Sequence, residues 1–192
     1  MSGRAASAVS PLGAVGRGAL AGAAGTTAMD LVLYARYKRG GGEQSLWAWE
    51  FGDGIRTWDD VSTPGQVGRR LLEGFLQREL PDRAARPVDN VVHWLYGLGW
   101  GAAYGIVAGS FHRRRGAGLA WGLVVWLTSY AVLPLAKLYR PIWEYDAKTL
   151  AKDLSAHLVF GTVTAVAFDA VRPRGRNQRG SRHLWVKRVA RS

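Results

Sequence analysis

The stretch Asn90–Phe111, NVVHWLYGLGWGAAYGIVAGSF, decides the fold. It contains no Asp, Glu, Lys or Arg, and its 22 residues are enough for a helix to cross the ~30 Å apolar core of a bilayer. Glycine recurs in it at every fourth residue, which places the glycines on nearly one face of a helix: Gly97, Gly101, Gly105 and Gly109. Because small residues on one face let membrane helices approach closely, this stretch predicts a tightly packed spanning helix.

Three further apolar segments extend this interpretation to residues 1–171 as a single domain. We expect an all-α membrane protein with four transmembrane helices in a Gly-packed bundle, its second and fourth helices at the centre. The helices are predicted over residues 12–35, 90–111, 117–138 and 154–171. The third segment is the most apolar, whereas the first is rich in Ala and Gly and includes Arg17 and Asp30.

The distribution of charge predicts the orientation in the membrane. The chain has 26 Lys and Arg against 14 Asp and Glu, and no Cys for a disulfide or a thiolate metal site. Arg113–Arg115 join the second and third segments, and a basic tail at 172–192 follows the fourth. The positive-inside rule makes both cytoplasmic, so we expect a multi-pass protein of the inner or plasma membrane with both termini in the cytoplasm.

The basic tail directly follows an apolar segment, which favours anionic lipid headgroups over nucleic acid as its partner. The residues expected to contact lipid are Arg172, Arg174, Arg176, Lys187 and Arg188.

The loop at residues 36–88 contains a second kind of helix. Ser62, Pro64 and Gln66 form a helix-start pattern with a hydroxyl cap, and an amphipathic helix is predicted at about 64–80. Four aromatic residues precede it in the same loop. This composition favours a helix that lies on the outer membrane surface, and the alternative is an ordinary exposed helix.

An internal repeat relates the second and fourth segments. Asp89-Asn-Val-Val-His93 aligns with Asp153-Leu-Ser-Ala-His157, and the following Gly97 aligns with Gly161. We therefore predict a two-helix repeat whose copies share one orientation, with a pseudo-two-fold axis along the membrane normal.

These His-x-x-aromatic-Gly helices resemble those of the YagU-like bacterial inner-membrane proteins. The resemblance covers the second to fourth segments and implies a small four-helix membrane protein without a settled biochemical role. The long aromatic loop departs from that family's pattern.

The same spacing suggests a candidate site. A carboxylate and an imidazole four residues apart lie on one face of a helix, one turn from each other. In the expected topology five ionisable residues converge near the outer surface: Asp30, Asp89, His93, Asp153 and His157. Such a cluster can relay protons or ions, or it can bind a divalent metal, which is the one cofactor that these residues suggest. The alternative is that the carboxylates cap their helices and have no further function.

Two classes of function remain open. The sequence has no Gly-x-Ser-x-Gly, no phosphate loop and no His-Glu-x-x-His, so we expect no enzyme. A structural or assembly protein would use the glycine faces, including Gly161, to pack its own helices or to bind a second copy or another membrane protein. The alternative is a small ion, proton or solute pathway that uses the Asp/His cluster.

Overall fold

The computed structural model describes residues 11–110 and 116–171, and the regular structure of this part is helical, with no β-strand. The helices are α1 (Pro11–Arg39), α2 (Leu46–Glu50), α3 (Thr63–Leu76), α4 (Ala85–Ser110), α5 (Ala117–Leu135) and α6 (Ala147–Ala170). The basic tail, with its five predicted lipid contacts, and the arginine connection at 113–115 lie outside the described residues.

The four long helices coincide with the four apolar segments, but α4 and α6 begin earlier than predicted. Charged residues end an apolar segment of the sequence, but the helix itself can continue through them. Asp146, for example, caps the start of α6, because its carboxylate accepts a hydrogen bond from the Thr149 N–H at 3.0 Å. In contrast, α5 ends sooner than predicted, and Lys137 follows with a left-handed φ of 55°.

The inner helices of the bundle are α1 and α6: α1 packs against α4 on one side and α6 on the other, while α5 packs against α6. The prediction that α4 and α6 form the centre is wrong for α4, which lies at the end of the row and barely touches α6, whereas α6 is an inner helix as predicted. Glycines on two faces of α1 explain its position. A Cβ at Gly22 would collide with the backbone of Gly101, and one at Gly25 would collide with Thr164.

The crossing of α1 and α4 is built on backbone contact. A Cβ at Gly101 would lie closer than 3.0 Å to backbone atoms of Gly18 and Gly22. Backbone atoms cannot move aside as a flexible side chain can, so only glycine fits between these two helices.

Two more of the predicted glycines share this face of α4. Gly97 and Gly105 lie one turn to either side of Gly101, and a Cβ at either position would also come closer than 3.0 Å to α1. The surroundings of Gly109 lie outside the described residues. Gly99 has no neighbouring atom within 4 Å of its Cβ position, so the close contact is confined to one face.

The crossing of α5 and α6 has the same construction. A Cβ at Gly161 would lie closer than 3.0 Å to backbone atoms of Gly118 and Gly122. Each outer helix of the row α4–α1–α6–α5 is thus held to its inner neighbour by facing glycines.

The amphipathic helix α3 packs its small residues, not its large ones, on the bundle. Gly65 and Gly68 are buried, and Cβ atoms there would collide with side chains of α4. Ser62 precedes the helix, but its side chain makes no capping hydrogen bond, contrary to the expected hydroxyl cap. Large apolar residues remain outside, since Leu71 is 69% exposed and Phe75 is 88% exposed.

Among the described helices, α5 is the one that is both long enough and apolar enough to cross a membrane by composition. Its 19 residues have a mean hydropathy of 1.6. The outward face of α5 carries exposed Leu119, Leu123 and Leu127.

Candidate functional site

The five ionisable residues predicted to converge are separated by the structure into three groups. The first joins α1 to α4. Asp30 on α1 is buried, and its Oδ2 lies 3.0 Å from Nε2 of His93 on α4. Arg36 is not a partner of Asp30, because its guanidinium donates instead to Ser155 and to the Lys152 carbonyl of α6.

The second group holds Asp153 and His157 on α6. Nδ1 of His157 lies 3.0 Å from the backbone oxygen of Asp153 and 3.4 Å from Oδ1 of its carboxylate. Trp126 on α5 donates its indole N–H to Oδ2 of the same carboxylate at 3.1 Å. Both carboxylate oxygens therefore have partners that fix the orientation of the group.

Asp89 stands apart from both pairs. Its carboxylate accepts a hydrogen bond from the Ser62 hydroxyl, which lies just before α3. Asp89 therefore connects the loop to α4. The sequence spacing places Asp89 one turn from His93, but the acceptor that His93 uses is Asp30.

A residue that the sequence prediction did not include, Glu50, joins the first group. One oxygen each of Asp30 and Glu50 and one ring nitrogen of His93 lie within 4.8 Å of one another. Glu50 Oε1 is excluded from solvent and has no hydrogen-bond partner. Burial and the nearby Asp30 carboxylate raise the pKa of Glu50, and His93 partly opposes this shift.

The loop that carries Glu50 is held in place over the ends of α1 and α4. Trp49 packs against Tyr34 of α1 with ring centroids 5.6 Å apart. From α4, Arg86 donates to the Phe51 carbonyl at 2.8 Å and forms an ion pair with Asp53. The short helix α2 begins at the Ser45 cap, so Glu50 reaches the bundle from a defined position.

A signal for Glu50 exists in the sequence. It is the one acidic residue within Leu46–Phe51, a run that contains three aromatic residues. An acid among aromatic residues that pack on a bundle is expected to be partly buried and in need of a partner. Its approach to Asp30, however, depends on the path of the loop, which no local pattern determines.

A cavity of about 340 Å³ lies between α4 and α5. Residues of α1, of α6 and of the start of α3 also line it. The carboxylate and imidazole groups of the lining come from two helices: His93 lies on α4, and Asp153 and His157 lie on α6. The rest of the lining is largely apolar or aromatic, including Trp100 and Phe160.

Side chains bridge the gap between α4 and α5, although the two helices lie apart. The hydroxyls of Tyr96 and Ser129 lie 3.2 Å apart. Further along, the rings of Trp100 and Trp121 meet edge to face with centroids separated by 5.7 Å. These long side chains close one wall of the cavity while keeping the two backbones separated.

No protein-family model, curated protein or solved structure matches this chain. The features that remain as a guide to function are the cavity, lined by His93, Asp153 and His157, and the Asp30–His93 pair beside it.

Proposed function

We propose that this chain is a multi-pass cell-membrane protein that binds a small solute in the cavity between α4 and α5 and passes it across the outer half of the membrane. The observation that carries the proposal is the convergence of His93, Asp153 and His157 on one cavity of about 340 Å³. Ionisable groups within spanning helices are costly to keep, and they commonly mark the path of an ion or solute.

The dimensions of the helices support four membrane spans. α1, α4 and α6 have 29, 26 and 24 residues, so at 1.5 Å per residue each is about 36–43 Å long, more than the ~30 Å apolar core. Large apolar side chains are exposed on the outward faces of all four long helices: Leu20, Leu95, Ile106, Leu123, Leu127 and Val166. Exposed large apolar side chains on every long helix are expected if lipid surrounds the bundle.

The glycine faces that could have served assembly with a partner are occupied within the chain. Gly101 faces α1, and Gly161 faces α5. A second copy or another membrane protein would have to use a different surface. This favours the solute pathway over assembly through the glycine faces.

The lining suggests the chemistry of the solute. Among the described residues that line the cavity there is no Lys or Arg, and Asp153 contributes a carboxylate. Aromatic rings of Tyr96, Trp100 and Phe160 lie along the same space. A carboxylate beside aromatic faces suits a positively charged group on an apolar body, through charge attraction and cation–π contact. We therefore propose a small organic cation.

The test uses the purified full chain in lipid nanodiscs, with benzyltrimethylammonium as the probe and its neutral carbon isostere, neopentylbenzene, as the matched ligand control. Because the chain has nine Trp residues, occupancy is measured by isothermal titration calorimetry and not by the fluorescence of Trp126, which contacts Asp153. We expect saturable binding of the cation only. Asp153→Asn should weaken it at least tenfold, because it removes the carboxylate charge while keeping the shape.

Glu144→Gln is the matched control variant, since it removes an exposed carboxylate away from the cavity lining. It should bind the cation as the parent does. Absence of saturable binding in the parent, or equal affinity in the parent and Asp153→Asn, would overturn the proposal. Uptake of the cation into proteoliposomes then separates passage from binding alone.

A further inference from the structure

The carboxylate–histidine group at the outer ends of α1 and α4 has a geometry that the cavity does not explain. Asp30, Glu50 and His93 come from α1, α2 and α4, and their three potential ligand atoms lie within 4.8 Å of one another. The Asp30 side chain is only 5% exposed. Three segments distant in sequence therefore bring three metal-binding side chains to one point.

The charge at this point is not balanced by a permanent cation. Among the described residues no Lys or Arg forms an ion pair with Asp30 or Glu50; Arg36 bonds to α6, and Arg86 pairs with Asp53. His93 can neutralise one carboxylate at most. The solvent-excluded Oε1 of Glu50 is left without a donor, which is costly for a carboxylate oxygen.

We propose that Asp30, Glu50 and His93 form a binding site for one divalent cation of the zinc–manganese–iron class. Two carboxylates with one imidazole are ligands that these ions accept, and three protein ligands leave room for water or another group. A metal–ligand bond of ~2.1 Å places the ligand atoms of one ion roughly 3–4 Å apart. The observed separations need to shorten by at most about 1–2 Å, which side-chain rotation can supply.

An ion at this position would have a definite structural effect. It would tie the loop carrying Glu50 to both α1 and α4, and it would satisfy the orphaned Glu50 oxygen. His93 also lines the cavity, so the ion would lie at the cavity wall. This inference goes beyond solute binding: the two sites share His93, but the carboxylate proposed to hold the organic cation, Asp153, is not among the metal ligands.

The experiment uses the full chain in nanodiscs, purified without a polyhistidine tag and stripped with a chelator. Zn²⁺ and Mn²⁺ are titrated separately, and bound metal is measured by elemental analysis. We expect one ion per chain. Glu50→Gln and His93→Ala should each weaken binding at least tenfold, and the same concentration of ion should raise the Tm of the parent more than that of Glu50→Gln.

Two variants serve as controls. Glu43→Gln removes an exposed carboxylate from the same loop, and His157→Ala removes the other imidazole of the cavity. Both should bind the ion with the affinity of the parent. The proposal is overturned if the parent binds neither ion, if Glu50→Gln and His93→Ala bind as tightly as the parent, or if His157→Ala alone abolishes binding. If the parent binds one metal ion but shows no saturable binding of benzyltrimethylammonium, the solute proposal fails and the metal site stands by itself.

Discussion

Gly101 lies where the backbones of α1 and α4 are in contact, so one methyl group there tests the packing of the bundle. Gly101→Ala should destabilise the protein by about 1–3 kcal/mol, because the new Cβ meets backbone atoms of Gly18 and Gly22 that cannot rotate away. The measurement is the Tm, with retention on size exclusion as a check of folding.

Gly99→Ala is the matched control on the same helix. Nothing lies within 4 Å of its Cβ position, and alanine favours a helix over glycine by up to ~1 kcal/mol, so its Tm should stay or rise. Similar losses in both variants would show that the glycine face is not where the helices meet.

At the same scale, His93 and His157 show what residue spacing could and could not predict. In α6 the predicted carboxylate and imidazole, Asp153 and His157, lie close together, but in α4 the partner of His93 is Asp30 instead of Asp89. Spacing along a helix predicts neighbours on that helix. The bond to Asp30 depends on how α1 crosses α4, which the sequence pattern leaves open.

At the scale of elements, the register of α4 against α6 in the sequence repeat differs by one helical turn from the register given by their glycine contacts. The sequence alignment makes Gly97 equivalent to Gly161. In the structure the residue equivalent to Gly161 is Gly101, because each of these two faces a pair of glycines on its neighbouring helix. In that register His93 corresponds to Asp153. The four long helices follow from hydropathy, but the register follows from backbone contact, to which side-chain identities are only an indirect guide.

The same limit explains why the prediction placed α4 at the centre instead of α1. Low hydropathy made α1 the weakest of the four predicted spans, yet its small residues let it pack on both α4 and α6. Between membrane helices, close approach stabilises packing more than hydrophobicity does, because lipid is as apolar as any side chain. Composition predicted where helices form, and the size of residues on each face determined their order.

The exposed apolar face of α3 gives a prediction for that element. Phe75 is 88% exposed, and Leu71 lies on the same face one turn earlier. We expect this face to lie in the outer headgroup region, as an interfacial helix does. The chain has no Cys, so a polarity-sensitive dye on Phe75→Cys reports this position alone.

The dye at residue 75 should emit at shorter wavelength in nanodiscs than the same dye on Arg70→Cys, which lies on the exposed polar side of α3. Emission at the aqueous wavelength from both positions would show that α3 is exposed to water on every side.

For the whole molecule, the distribution of charge leads to a prediction about topology. The formal net charge of +12 is carried largely by arginine, and two of its concentrations are Arg113–Arg115 and the tail after α6. With four spans, both lie on one side of the membrane, and the positive-inside rule makes that side cytoplasmic. The loop that carries α2 and α3 is then outside, together with the carboxylate–histidine groups.

Single cysteines test this arrangement in intact cells with a membrane-impermeant thiol reagent. Gln77→Cys, at the exposed end of α3, should react, because residue 77 follows the last turn of the helix on the outer side. Arg114→Cys should react only after the membrane is permeabilised. The opposite pattern would show that the protein has the reverse orientation, with the loop that carries α2 and α3 in the cytoplasm. Reaction of both cysteines in intact cells would mean that residues 77 and 114 share a side, which an arrangement with four spans does not allow.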